Sequence, residues 1–157
     1  MPSTARALLH RLATGQADGR APSMTGAVVR DGRPVWTGAR GAVDGGQPTG
    51  DTQYRIGSLT KTFVAVLVLR LRDQGRLDLA DPLGAHLPGT AADDRSIAQL
   101  LAHTSGLQAE STGPWWERTD GALRPTIADA LGQQPLLHPA GRVFHYSNPG
   151  YGLLGAL

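Results

Sequence analysis

The chain has 157 residues, 40% hydrophobic and 18% charged, which suits one domain with a real core and excludes a wholly disordered polymer. A net charge of +2 with no Lys/Arg run argues against a nucleic-acid partner, and the lack of cysteine excludes disulfide scaffolds and thiolate metal sites. The longest apolar run, residues 63–69, is far short of a membrane span, and the first 25 residues lack a signal peptide's apolar stretch, so the chain reads as cytoplasmic.

Ser3 is placed to cap a short helix through about residue 12, with Leu8, Leu9 and Leu12 on one face. Two β-prone runs, 26–30 and 35–39, flank Asp31-Gly32-Arg33-Pro34 and predict a hairpin. Residues 58–74 contain neither Gly nor Pro, which predicts a helix stopped at Gly75. Its stretch 63–69 is apolar on nearly all faces and should be buried. Asp81-Pro82 opens another short element, and Ser96 caps a helix over 97–103 that Gly106 ends. A third helix is expected from Thr126 to about Gln133, and a last one from Pro149. The apolar end at 152–157 has no cap, charge or polar tail, and reads as an interrupted chain.

The basic residues are fourteen Arg and one Lys, Lys61, and the only Asn is Asn148. Lys61 follows Ser58 by three residues, so on a helix the two share a face. A neutral lysine can activate a serine, and a helix's first turn favours a developing oxyanion. The plain alternative is a capping serine and a solvated lysine, but an ammonium entering a buried helix would be costly. Tyr146 precedes Asn148 by two residues. A phenol near Lys61 could relay protons, and the Asn148 amide could hold a substrate carbonyl or orient Lys61. Ser147-Asn148-Pro149-Gly150 also reads as ordinary turn chemistry.

His103 and Ser105 could form a base and nucleophile, but two residues apart at a helix end is poor geometry, and a structural role is preferred. His10, His86, His138 and His145 make no metal spacing. Trp115 and Trp116 suit packing under a loop better than a substrate mouth. The glycines at 38–46 lack the Lys-Ser/Thr of a phosphate loop.

Three stretches carry a resemblance: Tyr54-Arg-Ile-Gly-Ser-Leu-Thr-Lys61-Thr-Phe, Leu100-Leu-Ala-His-Thr-Ser-Gly-Leu107 and Tyr146-Ser-Asn148-Pro-Gly-Tyr-Gly-Leu-Leu-Gly155. In order and spacing they resemble the serine β-lactamase-related family of class C β-lactamases, D-alanyl-D-alanine carboxypeptidases, D-aminopeptidases and related esterases. The resemblance implies an α/β (α+β) fold of β-lactamase/transpeptidase type, an antiparallel sheet flanked by helices plus a helical subdomain. It implies Ser58 as the acylated nucleophile, Lys61 as its activator, Tyr146 as general base and acid, and Asn148 as a contact for substrate and Lys61. The identity of the base in Ser-x-x-Lys enzymes is disputed. The Lys/His-Thr/Ser-Gly triplet that follows in the family is absent.

These observations lead to an expectation of the N-terminal portion of one such domain, incomplete at its C-terminus, with helix and hairpin at 1–57 and the motif-bearing helical part at 58–157. The expected activity is hydrolysis of ester, amide or β-lactam carbonyls through an acyl-enzyme, on a small-molecule or peptide substrate, with no metal or cofactor. The alternative is a non-catalytic remnant or partner-binding fragment.

Overall fold

A computed structural model describes residues 2–111, 131–132 and 134–157. The expected helix at 126–133 and the pair Trp115 and Trp116 lie outside the described residues, apart from Leu131 and Gly132. The chain divides into two compact units, Met1–Arg55 and Ile56–Leu157.

In the first unit, α1 (Pro2–Asp18) lies against an antiparallel pair, β1 (Ser23–Arg30) and β2 (Arg33–Gly41). Pro2 opens the helix, as suits a residue with no N–H to satisfy, and Ser3 falls inside the first turn rather than at its cap. The helix runs past residue 12, through Gly15. Its end is tied instead by Gly19 N–H to Gly15 O (3.0 Å) and Gln16 Nε2 to Ala21 O (2.6 Å), which outweigh the weak propensity of Gly15. Asp31 and Gly32 both take positive φ, 50° and 73°, so the expected hairpin turns through two left-handed residues that match strand twist. The Trp36 ring lies over Gly38, where a Cβ would come within 2.6 Å of its Cζ2, and Leu12 of α1 packs above.

In the second unit, a 3-10 turn (Gly57–Leu59) leads into α2 (Thr60–Asp73). Gly75, at φ +67°, follows that helix as expected. The element at Asp81-Pro82 is a 3-10 turn, Leu83–Ala85. Next comes α3 (Ile97–Leu101), whose Ser96 cap is a reciprocal box: Ser96 Oγ accepts from Gln99 N–H (3.2 Å) and Gln99 Oε1 accepts from Ser96 N–H (3.0 Å). That helix ends earlier than residue 103, because His103 itself takes the left-handed conformation, φ 57°. The last helix, α4 (Asn148–Leu154), starts one residue before Pro149.

Val68, Leu83, Ile97, Leu100, Leu107 and Leu153 form the centre of the core, each fully buried. Truncating Leu100 to Ala should cost about 2–5 kcal/mol through lost burial and the cavity left behind. The expectation that residues 63–69 are buried all round is corrected. Val68 is buried and Val64 half-buried, but Phe63 (63% exposed), Val66 and Leu67 face outward with Leu59. Among the described residues, the core supplies apolar partners to one face of α2. No described helix is long and apolar enough to cross a membrane.

Candidate active site

Everything at this site belongs to the second unit. Gly57 enters at φ +54°, a conformation costly to a residue with Cβ, and turns the chain so that Ser58 is presented on the exposed first turn leading into α2. One turn along, Lys61 points the same way, and its Nζ donates to Ser58 Oγ at 3.2 Å. Tyr146 arrives from the far end of the unit and its hydroxyl donates to the same oxygen at 2.7 Å. Asn148 Oδ1 accepts from Lys61 Nζ at 2.5 Å. The four residues singled out in the sequence therefore form one connected group.

Residues 103–110 hold Tyr146 and Asn148 in place. His145 N–H donates to His103 O (2.8 Å), Ser147 N–H to His103 Nδ1 (3.1 Å) and Asn148 N–H to Ala109 O (2.8 Å). Ser147 is buried; its hydroxyl donates to Gln108 O (2.7 Å) and accepts from Gly150 N–H (3.0 Å), capping α4. These bonds hold residues 145–148 against the 103–110 loop just as α4 begins, with Tyr146 exposed and Asn148 half-buried.

The His103 ring lies between Tyr146 (4.5 Å between centroids) and Tyr151 (4.9 Å). Burial, and then the charge of Lys61, keep this imidazole below its ordinary 6.5. Because Nδ1 accepts a backbone N–H, the neutral ring carries its proton on Nε2. The pairing of His103 with Ser105 as base and nucleophile is excluded, since Nδ1 is engaged by Ser147 and Ser105 is buried.

The Lys61 ammonium sits 4.8 Å from the centre of the Tyr146 ring. Hydrogen bonding with Lys61 first, and then with Ser58, pulls the Tyr146 phenol below 10.0; burial and the charge of Glu110 oppose the shift. Tyr151 behaves oppositely: burial, and then the charge of Tyr146, raise its phenol, and its hydroxyl donates to Leu101 O at 2.9 Å. Of the two phenols near Lys61, Tyr146 is exposed, bonded to the serine and held low, whereas Tyr151 is half-buried and held high.

Glu110, which sequence reasoning did not single out, faces Asn148 Nδ2 with both oxygens (3.0 and 2.9 Å). Nothing in the local sequence marks it; the contact follows from the Asn148–Ala109 backbone bond. Among the described residues no group of three His, Cys, Asp or Glu could hold a metal ion.

The helices that carry this cluster, with the short antiparallel sheet, have the β-lactamase/transpeptidase-like fold. The chain belongs to the Beta-lactamase family, whose profile matches residues 8–157. It is 33% identical over 112 residues to Protein flp of Staphylococcus aureus, covering 68% of this chain and 22% of that protein. It is 38% identical over 107 residues to a Beta-lactamase of Providencia stuartii, covering 66% of this chain and 26% of that protein. Among solved structures, D-alanine carboxypeptidase AmpC from Burkholderia cenocepacia superposes with a TM-score of 0.71 at 31% identity, covering 99% of this chain and 43% of that one. The chain thus spans about a quarter of the length of these two curated relatives.

Proposed function

We propose that this chain carries the nucleophile end of a serine hydrolase site that forms an acyl-enzyme on ester, amide or β-lactam carbonyls. One observation carries the reading: Ser58 Oγ lies within hydrogen-bond reach of both Lys61 Nζ (3.2 Å) and Tyr146 OH (2.7 Å). Kinship with a β-lactamase and likeness to a D-alanine carboxypeptidase support it.

In this reading Tyr146, whose phenol Lys61 and Ser58 hold below its ordinary value, acts as the base once it has given up its own proton. It takes the Ser58 proton as Oγ attacks the carbonyl carbon. The same phenol then returns that proton to the leaving nitrogen or oxygen as the carbonyl bond to it breaks. Lys61 stays cationic, balancing the phenolate and fixing Ser58, and Asn148 Oδ1 fixes Lys61. The N-terminal turn ahead of α2 favours negative charge on the oxygen of the tetrahedral intermediate. Water attacks the acyl-Ser58 ester with Tyr146 again as base. The family profile runs through both compact units, which supports reading them as parts of one domain.

Hydrolysis of p-nitrophenyl acetate by the 157-residue chain tests this reading. A burst of one p-nitrophenol per chain, lost in Ser58→Ala, is expected; turnover that persists in the variant contradicts it.

A second reading, a chain that binds a partner without catalysis, is favoured by the outward apolar face of Leu59, Phe63, Val66 and Leu67. No burst, with an intact fold, is the result it calls for.

A further inference from the structure

We propose that His103 is a positioning residue for Tyr146: its unprotonated ring holds the Tyr146 hydroxyl on Ser58, and protonation of the ring releases it. This rests on the serine-hydrolase reading above and adds a proton-operated control to that site.

His103 grips the segment on both sides of Tyr146. Its carbonyl accepts from His145 N–H (2.8 Å) and its Nδ1 accepts from Ser147 N–H (3.1 Å), so the residues before and after Tyr146 are tied to one residue. Tyr146 itself lies against the ring, with 4.5 Å between centroids, and Phe144 meets the ring at its edge, at 5.7 Å. The grip has a firm base. His103 N–H donates to Leu100 O (3.2 Å) and Thr104 N–H to Gln99 O (2.8 Å), which fix the residue to the end of α3, where Leu100 is buried in the core. The backbone of His103 is left-handed, φ 57°, an uncommon state for a residue with a side chain, and one that persists where the surroundings impose it.

The Nδ1 bond is the part that a proton can switch. A neutral imidazole accepts at one nitrogen; in the imidazolium both nitrogens donate. Protonation sets two donors against each other, Nδ1–H and Ser147 N–H, and Ser147 is buried, away from water that could replace the bond. Among the described residues, the titratable groups around the ring are the Lys61 ammonium of α2 and the phenols of Tyr146 and, in α4, Tyr151. Burial, and then the charge of Lys61, resist the added proton, so the neutral, gripping ring is the resting form at neutral pH. Losing the tie at Ser147 frees the chain one residue from Tyr146, whose hydroxyl stands 2.7 Å from Ser58 Oγ. A displacement of about 1 Å there is enough to slow the reaction about 10²-fold.

The test separates the grip from the proton. His103→Asn tolerates the left-handed backbone, offers Oδ1 in place of Nδ1 and does not titrate. His103→Phe keeps a ring and loses the acceptor. Each 157-residue protein is labelled with a fluorophosphonate across about pH 5–8, and the rate at Ser58 is read by mass spectrometry. The ratio of the parent's rate to that of His103→Asn cancels every other titration. It should be constant above 6.5 and fall as pH drops and the ring takes up its proton, by about tenfold per pH unit below the His103 midpoint. At neutral pH, His103→Asn should label at close to the parent's rate and His103→Phe about 10²-fold more slowly. A second readout needs no catalysis. The bonds to Lys61 and Ser58 hold the Tyr146 phenol below 10.0, so its tyrosinate absorbance should move toward 10.0 in His103→Phe and stay in place in His103→Asn. A constant ratio over the whole range, a His103→Asn protein as slow as His103→Phe, or a phenol unmoved in a folded His103→Phe overturns the proposal. The comparison of parent with His103→Asn stands whether or not His103→Phe folds. Absence of labelling in every protein contradicts the hydrolase reading alone, and the phenol titrations then decide the role of His103.

Discussion

The backbone N–H of Ser147 donates to Nδ1 of His103 at 3.1 Å, and this bond joins the loop after α3 to the segment that carries Tyr146 and Asn148. The acceptor must be unprotonated, and the ring is held neutral by burial and by Lys61. Replacing His103 by Phe keeps a ring but leaves the Ser147 N–H without its acceptor. Urea unfolding should show a loss of about 1–3 kcal/mol.

The same residue gives a pH dependence of stability. The folded pKa of His103 lies below its ordinary 6.5, so the unfolded chain binds more protons in the window between the two. The stabilisation is complete above 6.5 and is lost as pH falls through that window. Unfolding curves between pH 7 and 4 should show a component of this slope that His103→Phe lacks; identical slopes in both proteins would contradict it.

Tyr146 and Lys61 can be separated by spectroscopy. Lys61 is the main cause of the lowered Tyr146 phenol, so Lys61→Ala should move one of the three tyrosine ionisations upward, toward 10.0. Absorbance at the tyrosinate band reads this directly. Tyr146→Phe should remove that transition, leave the fold intact and slow acylation of Ser58 by about 10²–10⁴-fold.

Gly106 is held by backbone. At φ +81°, a Cβ there would lie 2.0 Å from His138 O, while Gly106 O accepts from Leu137 and His138 N–H. Gly106→Ala should cost about 3 kcal/mol or more, combining left-handed strain with a clash that no side chain can relieve. A thermal melt within a degree or two of the parent would contradict this account of the turn.

What the sequence made legible was the group that rare residue types mark. Lys61 and Asn148 are each the only one of their kind, and each stands at a fixed spacing from Ser58 or Tyr146. The hairpin was legible too, because Asp31-Gly32 is turn chemistry with one strong solution. Glu110 was not, since its contact to Asn148 spans 38 positions and closes only when the 103–110 loop lies along residues 145–148. His103 looked like a helix end, which it is; its left-handed backbone also places the ring between two tyrosines, and spacing does not encode that. The apolar run at 63–69 states a demand for burial without stating how much of the helix the core will cover. The extent of α1 was missed because a glycine reads as a stop when its tertiary contacts are unknown.

The most direct measurement is to treat the 157-residue chain with a fluorophosphonate and map the adduct by mass spectrometry. The account predicts one phosphonyl group per chain, on Ser58, absent in Ser58→Ala and strongly slowed in Tyr146→Phe. An adduct on another residue, labelling that survives Ser58→Ala, or a folded chain left unmodified would contradict it.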